Sequence, residues 1–141
     1  GPSNPYAVSK LAQEDLSLRA AREDGLEVIV ARAFNHTGPR QSAEFAAPAF
    51  ARQVAMIECG ECPPVIRVGN LDARRDFTDV RDVIQAYLAL MASGTPSTVY
   101  NVCTGRKTDF NGIVAALNAA WSAPVPASPD GNRLPGARPC Q

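Results

Sequence analysis

A stretch of helical period runs straight into a stretch of strand character near the start of this chain, and that succession limits the fold more than any single residue does. Ser3-Asn4-Pro5 offers capping side chains and a proline suited to a first helical turn, after which Val8, Leu11, Ala12 and Leu16 recur at helical spacing. The spacing predicts a helix over 6–22 that Gly25 closes. Residues 26–34 follow at once, β-branched and almost continuously apolar, which predicts a strand covered on both faces of a parallel sheet. The expected class is therefore α/β.

The alternation continues along the chain. Asn35-His36-Thr37-Gly38-Pro39 reads as a loop at the strand's C-terminal end, where open α/β sheets bind their ligands. A helix is expected over 45–58, ended by Gly60 and the Pro63-Pro64 break, and then a short strand over 64–68. Val83, Ala86, Tyr87 and Leu90 share one side of a helix over 79–91. A third strand is expected over 98–103, and Asp109 caps a last helix that runs to about Trp121. Residues 122–141 are rich in proline and keep neither period, so 1–121 is read as the folded part and 122–141 as an irregular tail.

Charge narrows the partners. Fourteen basic and fourteen acidic residues cancel with no run of either sign, which leaves a nucleic-acid or anionic-membrane surface without electrostatic support. A small-molecule partner is expected instead. No apolar stretch reaches the ~20 residues of a membrane span and no signal pattern opens the chain, so a cytoplasmic location is expected. Cys59-Gly60-Glu61-Cys62 has a spacing that metal or redox chemistry uses. The other cysteines are isolated, however, His36 is distant, and the pair ends a helix rather than beginning one; free thiols and no metal site are expected.

Tyr6-Ala7-Val8-Ser9-Lys10 sets a phenol and an ammonium four residues apart, on one helix face and within reach of one ligand. A phenol with a solution pKa near ~10 passes protons poorly at neutral pH, and a neighbouring cation favours the phenolate. Two further motifs follow in order, Arg32-Ala33-Phe34-Asn35-His36-Thr37-Gly38-Pro39 and Arg75-Asp76-Phe77-Thr78-Asp79-Val80-Arg81-Asp82-Val83. Over residues 4 to about 121 this series resembles the extended short-chain dehydrogenase/reductase family, the NAD-dependent epimerases and dehydratases, and within it the branch acting on GDP-linked mannose derivatives.

The resemblance implies the C-terminal portion of a Rossmann-like fold with its substrate-binding subdomain, the N-terminal dinucleotide-binding half being absent. It implies NADP or NAD as cofactor in the complete enzyme and a GDP-sugar or related nucleotide sugar as partner. Tyr6 would be the general acid/base, and Lys10 would hold the nicotinamide ribose. His36 would line the nicotinamide side of the pocket, Asn35 would contact the substrate, and Arg75 would reach the diphosphate with its fork of donors. Read without the resemblance, Asn35-His36 is a turn stabiliser, and Arg75 is a surface ion pair with Asp72 or Asp76.

His-Thr-Gly-Pro after Phe34-Asn35 fits reductases and epimerases better than the dehydratases, in which an acidic residue follows the histidine. Reduction of GDP-4-keto-6-deoxy-mannose is therefore the expected activity, with dehydratase or epimerase chemistry as the alternative within the class. Nothing before Tyr6 supplies a first strand or a glycine-rich turn, so tight NAD(P) binding is not expected of this chain by itself. A non-catalytic module that binds a nucleotide sugar or another protein is the alternative outside enzymes. A homo-oligomer is expected, because the family pairs its catalytic helices between subunits and the strand over 26–34 asks for cover on both faces.

Overall fold

The computed structural model describes residues 4–120 and 127–128. In chain order these form α1 (Pro5–Glu23), β1 (Val30–Ala33), β2 (Asn35–Thr37), α2 (Ala46–Glu58), β3 (Ile66–Arg67), β4 (Arg74–Arg75), β5 (Phe77–Asp79), α3 (Val80–Ser93), β6 (Val99–Val102), β7 (Thr108–Asp109), α4 (Phe110–Ala119) and β8 (Ala127–Ser128). The expected α/β class holds. Two compact units share the chain, one made of Gly1–His36 with Thr78–Thr104 and the other of Thr37–Phe77 with Gly105–Gln141.

In the first unit β1 and β6 pair in parallel, with Val30 opposite Val99 and Ala33 opposite Val102. Helix α1 starts as its sequence dictates. The Asn4 side chain accepts a hydrogen bond from the Ala7 N–H at 2.8 Å, Pro5 occupies the first turn, and Gly25 takes φ +70° just past the end. Its apolar residues, however, do not form a core: none of α1 is buried, and Val8, Leu11 and Leu16 are all more than half exposed. The strand over 26–34 is likewise shorter than expected and only half-buried, with Leu26 and Arg32 exposed. Among the described residues β1 has a neighbour along one edge only, and cover on both faces needs more elements than these supply. Residues 35–37, read as a loop, form the short strand β2.

Two contacts define the ends of α3. A side chain at Gly94 would meet the Leu90 carbonyl oxygen at 2.5 Å and Ile29 Cδ1 at 2.7 Å, so only glycine lets the helix end against the segment entering β1. At the other end Asp79 accepts from the Arg81 N–H at 2.8 Å and pairs with the Arg81 guanidinium at 2.6 Å. Hydrogen bonds from the Arg81 side chain, then from its backbone, hold the Asp79 carboxyl down at about 2. A folded-state pKa below the unfolded value gives stability that is complete above pH ~4 and disappears as the pH falls through ~2. Urea midpoints of wild type and Asp79→Asn should therefore differ at about pH 6 and converge near pH 2. A gap that stays constant across that range would contradict the assignment.

The second unit carries a packed core of Phe50, Val54, Ile66, Val68 and Val114. Phe110 stands edge-on to Phe50 (centroids 6.2 Å) and to Phe77 (5.7 Å), joining the start of α4 to α2 and to the first residue of β5. Gln53 of α2 serves β3 as a strand edge would. Its side-chain carbonyl accepts from the Arg67 N–H at 2.8 Å and its amide donates to the Arg67 carbonyl at 3.0 Å. Antiparallel β4 and β7 place Arg75 opposite Thr108. Helix α4 is capped by Asp109, which accepts from the Gly112 N–H at 2.8 Å.

Parallel to β3 lies β8, with Ala127 opposite Ile66, inside the segment read as an irregular tail. The rest of 122–141 lies outside the described residues. Cys59 and Cys103 are free, as expected, whereas Cys62 is disulfide-bonded. Bonding is decided by which cysteines the fold brings within ~5.5–6 Å between Cα atoms, and a Cys-x-x-Cys spacing does not reveal that. Among the described residues no helix is long and apolar enough to cross a membrane, and no group of three or more His, Cys, Asp or Glu is placed to hold a metal ion.

Candidate active site

Successive turns of α1 present Tyr6, Lys10 and Glu14 on one face, as their spacing requires. These three line a cavity of about 570 Å³ whose other walls come from β1, from His36 and from Tyr87 of α3. The Lys10 Nζ stands 5.8 Å from the Tyr6 ring centroid and donates to Gln13 Oε1 at 3.2 Å. Tyr6 itself is 71% exposed, which leaves its phenol accessible to a ligand.

His36 Nδ1 lies 3.0 Å from the Phe34 carbonyl oxygen. A carbonyl only accepts, so Nδ1 is the protonated nitrogen in that contact, and the bond fixes the ring at the strand end. The same cavity thus gathers Tyr6, Lys10 and His36. Asn35 is exposed beside His36 but does not line this cavity. Arg75 belongs to the other unit, where its exposed guanidinium donates to the Arg74 carbonyl at 2.7 Å. The alternative ion pair with Asp72 or Asp76 is not formed: Asp76 accepts instead from the Gly105 N–H at 2.8 Å.

Sequence reasoning passed over Glu14 and Arg32 as parts of the site. Arg32 Nε donates to Glu14 Oε2 at 2.8 Å, and its Nη2 contacts the second carboxylate oxygen. This bidentate bond, with the charge behind it, holds the Glu14 carboxyl below the ordinary carboxylate range. One signal was available, since Glu14 lies one helical turn beyond Lys10.

A phenol and an ammonium on one helix face, beside a parallel strand that runs into Asn-His, form an arrangement that fits the extended short-chain dehydrogenase/reductase class of Rossmann-like enzymes. The profile of the GDP-mannose 4,6 dehydratase family matches residues 1–127, and the chain belongs to this family.

A GDP-6-deoxy-D-mannose reductase of Pseudomonas aeruginosa is 45% identical over 116 residues, which cover 82% of this chain and 38% of the reductase. The human GDP-mannose 4,6 dehydratase is 30% identical over 106 residues, 74% of this chain and 27% of that enzyme. In structure, RMD from Pseudomonas aeruginosa, solved in complex with NADPH, matches with a TM-score of 0.82 at 42% identity, over 91% of this chain and 44% of RMD. The UDP-glucose 4-epimerase of Thermotoga maritima, solved with UDP-glucose, matches with a TM-score of 0.76 at 28% identity, over 92% of this chain and 41% of the epimerase. This chain therefore spans less than half the length of each of these relatives.

Proposed function

We propose that this chain carries the catalytic-helix and sugar-nucleotide-binding part of an NAD(P)-dependent oxidoreductase that reduces a GDP-4-keto-6-deoxy-hexose. The observation that carries this reading is the convergence of Tyr6, Lys10 and His36 on one cavity. That set suits the nicotinamide-ribose end of a dinucleotide. An ammonium is a donor for ribose hydroxyls, and a fixed imidazole makes a wall for the ring. When bound, the dinucleotide supplies the hydride equivalent.

The chain's own residues then handle binding and the proton. Lys10 Nζ holds the ribose hydroxyls, and Tyr6 Oη gives its proton to the sugar oxygen as that oxygen gains negative charge. Asn35 bonds the sugar hydroxyls. Arg75 offers its planar fork to the diphosphate. Cytoplasmic location and homo-oligomeric assembly belong to the same reading, the second supported by the exposed Val8, Leu11 and Leu16 of α1.

The reductase is favoured over the dehydratase by the 45% identity to the Pseudomonas reductase against 30% to the human dehydratase. The alternative reading is a module that binds a nucleotide sugar without turning it over. Calorimetry with GDP and an assay with NADPH and the 4-keto sugar separate the two: binding with turnover supports the enzyme, and binding alone supports the module. In the calorimetry Arg75→Ala should weaken GDP by about 1.5–3 kcal/mol, the range for a charge-assisted hydrogen bond. An unchanged Kd would remove Arg75 from the binding site.

A further inference from the structure

The Glu14–Arg32 pair ties α1 to β1, and the function proposed above makes no use of it. Arg32 Nε meets Glu14 Oε2 at 2.8 Å while Nη2 engages the other oxygen, and the Glu14 side chain is only 17% exposed against 52% for Arg32. Two other ion pairs, Arg19–Glu23 and Arg81–Asp79, join residues four and two apart in sequence. Glu14 and Arg32 are 18 apart and lie on different elements, so their bond constrains tertiary position.

Helix α1 needs such a constraint. None of its residues is buried, so apolar packing within the described residues gives it little resistance to sliding or turning on the sheet. Glu14 lies one turn past Lys10 and two past Tyr6 on the same face, while Arg32 precedes Asn35 and His36 by three and four residues on the strand that leads into them. A fork that meets both carboxylate oxygens sets angle as well as distance, which a single ammonium contact cannot do. Glu14 and Arg32 also line the cavity that holds Tyr6, Lys10 and His36.

We infer that Glu14 and Arg32 are positioning residues: their bidentate bond registers the helix bearing Tyr6 and Lys10 against the strand end bearing Asn35 and His36, so that the phenol meets the sugar oxygen in line for proton transfer. The inference rests on the reductase reading for its catalytic consequence. Its structural consequence stands apart from that reading. An error of about 1 Å in such a placement can cost about 100-fold in rate without weakening binding.

The test uses the natural protein that contains this chain, with Arg32→Lys, Glu14→Gln and the double variant, each also made in a Tyr6→Phe background. Each single change should lower kcat by about 10–100-fold with KM for the nucleotide sugar within about threefold. The double variant should lose no more than the worse single one, and neither change should lower the residual rate further once the Tyr6 hydroxyl is gone. Glu14→Asp keeps the charge and shortens the reach, so it should lose turnover too, and it substitutes for any variant that does not fold. Amide hydrogen exchange supplies a readout without turnover: Arg32→Lys should speed exchange in α1 and leave α2 and α4 unchanged.

A kcat within about threefold of wild type in folded Arg32→Lys overturns the positioning role, as do single losses that multiply in the double variant. Unchanged α1 exchange overturns the registration itself. If the wild-type protein turns over no nucleotide sugar, the reductase reading has failed, and the exchange measurement decides the registration by itself.

Discussion

Replacing Tyr6 by phenylalanine should lower turnover of a 4-keto nucleotide sugar by roughly 10²–10⁴-fold while leaving its KM within a few fold of wild type. The substitution removes one hydroxyl and keeps the ring, so the cavity wall and the 5.8 Å approach of the Lys10 ammonium survive. What disappears is the proton donor at the moment the sugar oxygen becomes an alkoxide, and that interaction exists mainly in the transition state. Losing such an interaction lowers kcat rather than affinity. Steady-state kinetics on the natural protein would check this. Turnover within a few fold of wild type would transfer the role to another group and leave Tyr6 as a wall of the cavity.

Ile66→Ala should destabilise the protein by about 2–5 kcal/mol, with the result in the upper part of that range. Ile66 is completely buried, in a core formed with Phe50, Val54, Val68 and Val114. The cost of removing its outer carbons depends on how far the surroundings can collapse into the space, and here collapse is restricted. The two hydrogen bonds between Gln53 and the Arg67 backbone pin the strand next to the cavity, and β8 pairs with Ile66 along the other edge. Urea unfolding measures the change. A loss below about 1 kcal/mol would mean that β3 moves inward more freely than these bonds allow.

Much of this was legible in the residues. The caps at Asn4, Asp79 and Asp109 are short-range chemistry, since each side chain bonds a backbone N–H two or three residues away and needs no help from the rest of the fold. Helices α1, α3 and α4 accordingly begin within a residue of where the pattern puts them. The shared face of Tyr6 and Lys10 was legible for a related reason: a spacing of four residues places two side chains on one side of a helix whatever surrounds it.

Longer-range features were not legible. The apolar period of α1 records which residues share a side and not what covers them, and Leu11 and Leu16 are exposed. Strands β4 and β5 are too short to show alternation, and β8 lies in a proline-rich stretch; pairing partners elsewhere in the chain create them. The disulfide at Cys62 follows from proximity in space in the same way. By itself the sequence determined the helix starts, the α/β class and the face that carries Tyr6 and Lys10, because all three depend on interactions within a turn or two of chain. Only the tertiary structure decided that Glu14 meets Arg32 and that Arg75 pairs with neither Asp72 nor Asp76. A bond between side chains 18 residues apart forms only where the packing of a helix on a strand brings the two groups within 3 Å, and local pattern carries no record of that distance.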